Sequence, residues 1–234
     1  MKTKNYRQAQ LFENNNVFEK PHYFVIMISN LFVILCTIVA ISMIAFQFIF
    51  DSAPVIGQSM YPTFNTTGVD LDRVYINNYA KVTYGDVVVL SIQEWGSHES
   101  KNIIKRVIGL EGDSIGFVYD KQQDVYYVTR NGEKIEEPYL LNYAGNAKKY
   151  QEFLLMGENN ENFDPDTQVY TVPKGEIFVL GDNRSNSIDS GVRGSFSMEE
   201  IWGRVDYCTP KGLNFFVFFF EQFFSCGMIQ YQLS

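Results

Sequence analysis

The feature that most constrains this chain is a run of residues without a charged side chain, from Tyr23 to Phe50. A helix needs roughly 20 apolar residues to cross the hydrocarbon of a bilayer, and this run is longer. A transmembrane helix is therefore predicted over residues 23–50. A removable secretory signal usually has an apolar region of about 7 to 15 residues and a small-x-small cleavage site. Here Asp51 occupies the −3 position of a cut after Ala53, which favours a retained anchor.

Basic side chains precede this run and are missing just after it. Residues 1–22 contain Lys2, Lys4, Arg7 and Lys20. The first basic residue beyond the run is Arg73. Because Lys and Arg near a span favour the cytoplasmic side, residues 1–22 are predicted to be a cytoplasmic tail. Residues 51–212 then form an extracytoplasmic domain of a single-pass plasma-membrane protein.

The C-terminal tail, residues 213–234, begins with the apolar sequence LNFFVFFF and is interrupted by Glu221. This apolar stretch is shorter than a membrane span requires. No Lys or Arg follows Lys211, so no basic residue would hold a returning chain end on the cytoplasmic side. A buried or interfacial segment is favoured, and a second span is the alternative.

Composition argues against several classes of protein. The net charge of −8 is a poor match to nucleic acid. The three cysteines are far apart, which argues against a disulfide framework. Neither CxxC nor HExxH spacing occurs, and the histidines are His22 and His98, so neither a metal site nor a cofactor is predicted.

The region from Val55 to Tyr207 consists of short runs of Val, Ile, Tyr and Phe separated by Gly, Asn and Pro, which predicts strands. The predicted strands are Val74–Ile76, Asp86–Ile92, Asn102–Ile108, Ser114–Val118, Val125–Thr129 and Ile177–Leu180. Asn131-Gly132 predicts a two-residue hairpin after the fifth of them. No long amphipathic helix is predicted, and the polar residues 142–168 are interpreted as a solvated surface insertion. The predicted fold class is mainly β, after one N-terminal transmembrane helix.

Four short motifs stand out in this domain. They are Gly57–Thr63 (GQSMYPT), Tyr84–Val88 (YGDVV), Asn102–Asp113 (NIIKRVIGLEGD) and Gly181–Ser190 (GDNRSNSIDS). In order and spacing they resemble the motifs of the type I (leader) signal peptidases, the bacterial enzymes with a Ser-Lys dyad. Any one motif alone is a weak signal, but the resemblance runs from the anchor to about Val205. It implies an antiparallel catalytic domain of two sheets, in agreement with the predicted strands.

By this resemblance, Ser59 is the nucleophile and Lys105 is the general base. A serine hydroxyl needs a base to take its proton, and a lysine can serve only when burial lowers its pKa from about 10.4. Lys105 follows the apolar pair Ile103-Ile104, and strand alternation would place Lys105 and Arg106 on opposite faces, one inward and one toward water. The alternatives are a lysine stem lying on apolar surface and a Ser-His-Asp triad that recruits His98 from a polar loop.

The resemblance also assigns supporting and substrate-binding positions. Ser187 and Asp189 match positions that hold the lysine and its loop in place. Gly57 stands where many members have a serine that helps stabilise the oxyanion, so the Ser59 N–H would carry more of that role. A substrate extended beside a strand would meet shallow pockets lined by Val55, Ile56, Met60, Ile103 and Ile104.

Two features of the last motif leave questions open. An arginine usually follows the Asp-Ser pair in this family, but here Gly191 follows Asp189-Ser190, and Arg193 is the expected substitute. The sequence of residues 181–184, GDNR, fits either a plain turn or a functional role for Asn183 and Arg184.

The implied function is a membrane-anchored serine endopeptidase that removes signal peptides from exported preproteins, cutting after small residues at −1 and −3. Its partners would be preproteins and the lipid bilayer. A self-processing repressor peptidase has a similar Ser-Lys core but needs a DNA-binding region, whereas residues 1–50 form a tail and an anchor. An inactive membrane-tethered β domain that captures extended peptides is the alternative outside the enzymes. The joint presence of Ser59, Lys105, Ser187 and Asp189 favours the enzyme.

Overall fold

The computed structural model describes residues 20–65, 72–93 and 100–209. It divides the chain into two compact units, one ending at Ile49 and the other beginning at Phe50. The predictions for residues 1–19 and for the tail 213–234 lie outside the described residues.

The first unit contains helix α1 (Lys20–Ile49). From His22 to Ile49 this helix is long and apolar enough to cross a membrane, and its side chains are not buried against other protein groups. Exposed apolar side chains all around a helix are typical of a segment solvated by lipid. The helix ends one residue before the predicted boundary because Phe50 begins a strand.

The second unit is built mainly of strands. In chain order they are β1 (Phe50–Pro54), β2 (Arg73–Asn77), β3 (Val87–Gln93), β4 (Ser100–Gly109), β5 (Ser114–Asp120), β6 (Val125–Arg130), β7 (Glu133–Lys134), β8 (Phe163–Asp164), β9 (Val169–Thr171), β10 (Glu176–Leu180), β11 (Phe196–Ser197) and β12 (Ile201–Thr209). One antiparallel sheet has the order β1-β2-β12-β3-β4-β10-β11, and the other has the order β7-β6-β5-β9-β8. The mainly β prediction with two antiparallel sheets is confirmed.

Each of the six predicted strands is present, with ends that differ by a few residues. The predicted hairpin is also present, because β6 pairs with β7 across Asn131-Gly132, with Arg130 opposite Glu133. Both turn residues have positive φ, 54° and 82°, as such two-residue turns require. Strand β12 was not predicted, although it lies between β2 and β3 in the larger sheet.

The prediction for residues 142–168 needs correction, because this segment is not simply a solvated insertion. It contains helix α2 (Gly145–Gly157), whose buried side includes Asn146, Lys149 and Phe153. The Phe153 ring contacts Phe163 and Phe178 at centroid distances of 5.3 and 6.2 Å. Since two of these buried positions carry polar side chains, the sequence lacks the apolar period that predicts a helix.

Three shorter helical segments occur among the described residues of the second unit. They are α3 (Ser190–Arg193) and the 3₁₀ turns Arg184–Asn186 and Met198–Glu200. The first of the 3₁₀ turns and α3 both contact α2. Helix α2 therefore packs on the loop that carries the fourth sequence motif.

Candidate active site

Ser59 lies in a turn that follows β1, and contacts of Asn65 and Met60 fix the backbone of this turn. Asn65 is buried, and its side-chain amide donates hydrogen bonds of 2.9 Å to the carbonyl oxygens of Val55 and Gly57. Met60, next to the serine, is 1 % exposed and packs in an apolar cluster with Val55. These contacts fix the backbone, while the Ser59 side chain stays partly accessible.

The structure brings the side chains of Ser59 and Lys105 together. The Lys105 Nζ donates hydrogen bonds to the Ser59 Oγ at 2.9 Å and to the Ile104 carbonyl oxygen at 2.8 Å. Lys105 is 3 % exposed on β4. A distance of 2.9 Å allows proton transfer between the amine and the hydroxyl.

Burial lowers the pKa of Lys105 from its ordinary 10.5 to about 8. Desolvation is the main cause, because it disfavours the charged ammonium form. The negative charge of Asp189 opposes this effect more than that of Asp182 does, whereas the positive charges of Lys149 and Lys101 reinforce it. A minor fraction of the amine is thus neutral at pH 7, and this fraction grows as the pH rises toward 8 and above.

Arg106 is on the opposite side of β4, as strand alternation requires, but it does not point to water as predicted. It is 1 % exposed. Its guanidinium donates hydrogen bonds of 2.9 and 2.7 Å to the two carboxylate oxygens of Asp182 and stacks over the Tyr139 ring at 3.9 Å. A paired, bidentate carboxylate is what makes burial of this charge tolerable.

Asp189 organises the loop of residues 181–189. It is completely buried and accepts hydrogen bonds from the Gly181 N–H at 2.9 Å and the Gly191 N–H at 3.1 Å. The cation that pairs with it is Lys149, at 3.2 Å, and not the expected Arg193, whose side chain is exposed. Asp189 therefore acts on Lys105 through the field of its charge and through the loop, since the hydrogen bonds of the Lys105 amine go elsewhere.

The rest of the loop lies against the Ser59 turn. The Asn183 N–H donates to the Ser59 carbonyl oxygen at 3.0 Å, and its side-chain amide donates to the Gln58 carbonyl oxygen at 3.0 Å. Arg184 is buried and pairs with Glu137, which ties the loop to the segment before α2. The Oγ of Ser187 is buried and has no hydrogen-bond partner among the described residues.

The residues predicted to bind substrate are not all in one environment. Ile56 is 78 % exposed, whereas Val55 and Met60 are buried. Ile103 and Ile104 are partly buried and pack against two different apolar clusters, because successive side chains of a strand point to opposite faces.

Strand β4 has a free edge beside the serine. It pairs with β3 from Ser100 to Arg106, whereas β10 pairs with it only from Arg106 to Gly109. The stretch before Arg106 thus has a strand partner on one side only, within the part of the chain that the structure describes. An extended peptide can add to such an edge.

Sequence reasoning missed Asn65 and Lys149. Asn65 lies just beyond the first motif, and its positive φ of 59° is typical of a turn. The missing side chain at Gly191 was the signal for Lys149, because the charge of a buried Asp189 requires a cation from another segment. In the described ranges, no cluster of three or more His, Cys, Asp or Glu side chains could hold a metal ion.

Comparisons with known proteins point to one family. The family model described as "Signal peptidase, peptidase S26" matches residues 28–209. Signal peptidase I P of Bacillus subtilis subsp. natto is 32% identical over 174 residues, covering 72% of this chain and 81% of that protein. Signal peptidase I of Bacillus caldolyticus is 33% identical over 178 residues, covering 75% and 86%.

A solved signal peptidase I from Enterococcus faecalis V583 is 28% identical and covers 54% of this chain and 97% of its own. Its TM-score of 0.34 is too low to bear on the fold. The sequence matches extend over most of the chain, and the resemblance inferred from the motifs is confirmed. The chain belongs to the signal peptidase family, peptidase S26, as a hydrolase of the signal peptidase I class.

Proposed function

We propose that this protein removes signal peptides from exported preproteins with Ser59 as the nucleophile and Lys105 as the general base. The observation that carries the proposal is the 2.9 Å distance between the Lys105 Nζ and the Ser59 Oγ, with the lysine 3 % exposed. A desolvated amine beside a hydroxyl is the arrangement in which lysine can act as a base.

In the first step, neutral Lys105 takes the Ser59 proton as the Oγ attacks the scissile carbonyl carbon. A bond forms between this carbon and the Oγ, and the carbonyl oxygen becomes an oxyanion. The Lys105 ammonium then gives its proton to the leaving amine as the peptide bond breaks, leaving an acyl-enzyme. A water molecule, deprotonated by the same lysine, then attacks the ester carbon, and the bond between this carbon and the Oγ breaks. The lysine returns the proton to the Oγ, which restores Ser59 and releases the signal peptide with a free carboxyl group.

The oxyanion needs hydrogen-bond donors where its charge develops. The Ser59 N–H is available, since it donates to no group in the described ranges of the chain. Gly57 offers no hydroxyl, and a Cβ atom there would meet no other atom within 4 Å. The backbone is therefore the proposed main donor.

Asp189 and Ser187 are the proposed support residues of the dyad. Asp189 holds the loop that contacts the Ser59 carbonyl oxygen through Asn183. Ser187 presents a buried hydroxyl without a partner in the described residues. Since Ser187→Ala breaks no hydrogen bond there, we expect the free energy of unfolding to change by less than about 0.5 kcal/mol.

Cleavage after small residues at −1 and −3 is proposed from the free edge of β4 and the side chains beside it. An extended substrate places alternate side chains on one face, which would meet Ile104 and the apolar cluster against which it packs, with Val55 and Met60 in it. Val55 and Met60 are packed in the interior, so they leave little depth for a large side chain. A bulky residue at −1 or −3 of the substrate should therefore prevent cleavage.

Membrane anchoring by α1, with a cytoplasmic N-terminus and an extracytoplasmic catalytic domain, is part of the proposal. The length and apolarity of α1 support the anchor. The basic residues before it and the absence of any between Asp51 and Asp72 support the orientation. To test the orientation, single cysteines are placed at residues 10 and 121 and treated with an impermeant reagent in intact cells. The proposed orientation predicts labelling of residue 121 alone, and labelling of residue 10 alone would contradict it.

The decisive test uses the full chain in detergent with a preprotein whose cleavage site reads Ala-x-Ala. The wild type should cut once, at that site, and Ser59→Ala and Lys105→Ala should each lose nearly all turnover. Ser91→Ala and Lys121→Ala, which change exposed residues of the same types, should keep it. An uncut preprotein with a folded wild type would instead favour a domain that only captures peptides.

The pH dependence gives a second test. Since the pKa of Lys105 lies at about 8, only about one tenth of the amine is neutral at pH 7. The value of kcat/KM should rise about tenfold per pH unit below pH 7.5 and level off above about pH 9. A flat profile over this range would contradict a lysine base.

A further inference from the structure

Lys149 is a fully buried cation that does not belong to any of the four motifs. It lies on α2, and its Nζ is 3.2 Å from the Asp189 Oδ1. The same amine donates hydrogen bonds to the Ser187 carbonyl oxygen at 2.8 Å and to the Glu152 Oε2 at 2.7 Å. All of its polar contacts are thus directed at the end of the 181–189 loop and at its own helix.

The stem of this lysine fills the space beside Gly191. A Cβ atom on Gly191 would lie 2.5 Å from the Lys149 Cδ, which is closer than real Cβ contacts allow. The backbone of Gly191 is helical and its φ is not positive, so its conformation does not require glycine. What excludes a side chain at residue 191 is the side chain of Lys149.

The group that Lys149 binds is connected to the serine. The second oxygen of Asp189 accepts the Gly181 N–H at 2.9 Å. A Cβ on Gly181 would lie 2.5 Å from the Ser59 carbonyl oxygen, so the loop and the Ser59 turn are in close contact there. Two residues on, the Asn183 N–H donates to the same oxygen at 3.0 Å.

We propose that Lys149 is a positioning residue for the reaction, a cation from α2 that holds Asp189 and the Ser187 carbonyl and thereby sets the loop against the Ser59 turn. This inference rests on the proposed Ser59-Lys105 function. It assigns helix α2, which lies between the third and fourth motifs in the chain, a direct part in the geometry of the site. It also explains why residue 191 is glycine, because the charge and the volume needed there come from residue 149.

The charge of Lys149 also acts on Lys105. The charged groups with the largest influence on the Lys105 amine are Asp189 and Asp182, which favour its protonated form, and Lys149 and Lys101, which disfavour it. Removing the charge of Lys149 takes away one repulsive cation, which raises the pKa of Lys105. A rise of about one pH unit lowers the neutral fraction at pH 7 about tenfold.

The first experiment replaces Lys149 by Met, which keeps the length of the stem and removes the charge. In the full chain, Lys149→Met should lower kcat/KM at pH 7 at least tenfold and move the acid limb of the pH profile to higher pH. Lys121→Met is the control, since Lys121 is exposed and lies in the turn between β5 and β6. It should leave both the rate and the acid limb at wild-type values.

A reciprocal pair tests the spatial argument. Gly191→Arg alone should lower activity and thermal stability because its side chain collides with Lys149. In the double variant Lys149→Ala with Gly191→Arg, the arginine can enter the vacated space and pair with Asp189. We expect this double variant to recover at least half of the activity lost by Lys149→Ala.

The possible results distinguish the role of Lys149 from the role of the Ser59-Lys105 dyad. A Lys149→Met protein with the wild-type acid limb would overturn the proposal, even if its stability fell. If Lys149→Met or Lys149→Ala fails to fold, recovery of folding and cleavage in the double variant supports the proposal, and absence of recovery overturns it. A wild type that does not cut, or a Ser59→Ala protein that does, refutes the proposed dyad instead, so failure of the dyad and failure of this inference are distinguishable.

Discussion

Replacing Lys105 by Met should abolish cleavage and make the protein more stable. The folded state must bury an amine that the unfolded state leaves in water, and this lowers its pKa from 10.5 to about 8. Each pKa unit corresponds to about 1.4 kcal/mol, so holding Lys105 in place costs about 3 kcal/mol when it is protonated in both states. Methionine has a similar length and carries no charge, so Lys105→Met should remove this cost.

The sign of the pH dependence follows from the number of protons bound. Between about pH 8 and 10.5 the unfolded chain binds the Lys105 proton and the folded protein does not, so wild-type stability rises with pH in this window. The advantage of Lys105→Met should therefore be about 3 kcal/mol below pH 8 and should vanish as the pH approaches 10.5. Burial of the neutral amine leaves no such cost above that pH.

Urea unfolding of the full chain in detergent micelles, followed by tryptophan fluorescence, measures this difference. Wild type and Lys105→Met are compared at several pH values from 6.5 to 10, with the exposed Lys121→Met as the control. Lys121→Met should follow the wild-type curve throughout. Equal stability of Lys105→Met and wild type at pH 7, or a difference that does not change with pH, would refute the idea that Lys105 is desolvated.

Three further substitutions probe the frame of the site, each measured by the free energy of unfolding in urea. Arg106→Met leaves the buried Asp182 carboxylate without its cation and should cost about 3 to 5 kcal/mol, whereas a loss below 1 kcal/mol would mean that this pair is solvated. Phe153→Ala should cost about 3 to 5 kcal/mol, and a small loss would show that α2 is not part of the core. Gly57→Ala meets no atom but must adopt a φ of 93°, so about 1 to 2 kcal/mol should be lost, and a stability gain would contradict this conformation.

Signals that are local in sequence predicted a large part of the molecule. The uncharged run predicted α1, and short apolar runs predicted six strands, because such patterns can be recognised from neighbouring residues alone. Strand β12 was missed since Gly203, Arg204 and Asp206 interrupt its apolar residues, and its burial comes from strands on both sides.

In the candidate site, local motifs also predicted some residues, whereas others depend on contacts between distant segments. The motifs predicted Ser59 and Lys105, which are 46 residues apart in the chain. The burial of Arg106 depends on Asp182, 76 residues away, and no local pattern indicates that pairing. Lys149 was missed because a lysine on a polar segment is usually solvated, and only the fold reveals the buried carboxylate that it neutralises.

The position of β12 has a consequence for biosynthesis. Strands β2 and β3 are consecutive in the chain, yet they do not pair, and β12 fills the place between them. While the protein is being made, that place stays empty until residues 201–209 have left the ribosome. Strand β4, with Lys105, adjoins β3, so a nascent chain that stops short of these residues should lack a formed dyad. We expect proteolytic activity to begin only after residues 201–209 have joined the sheet.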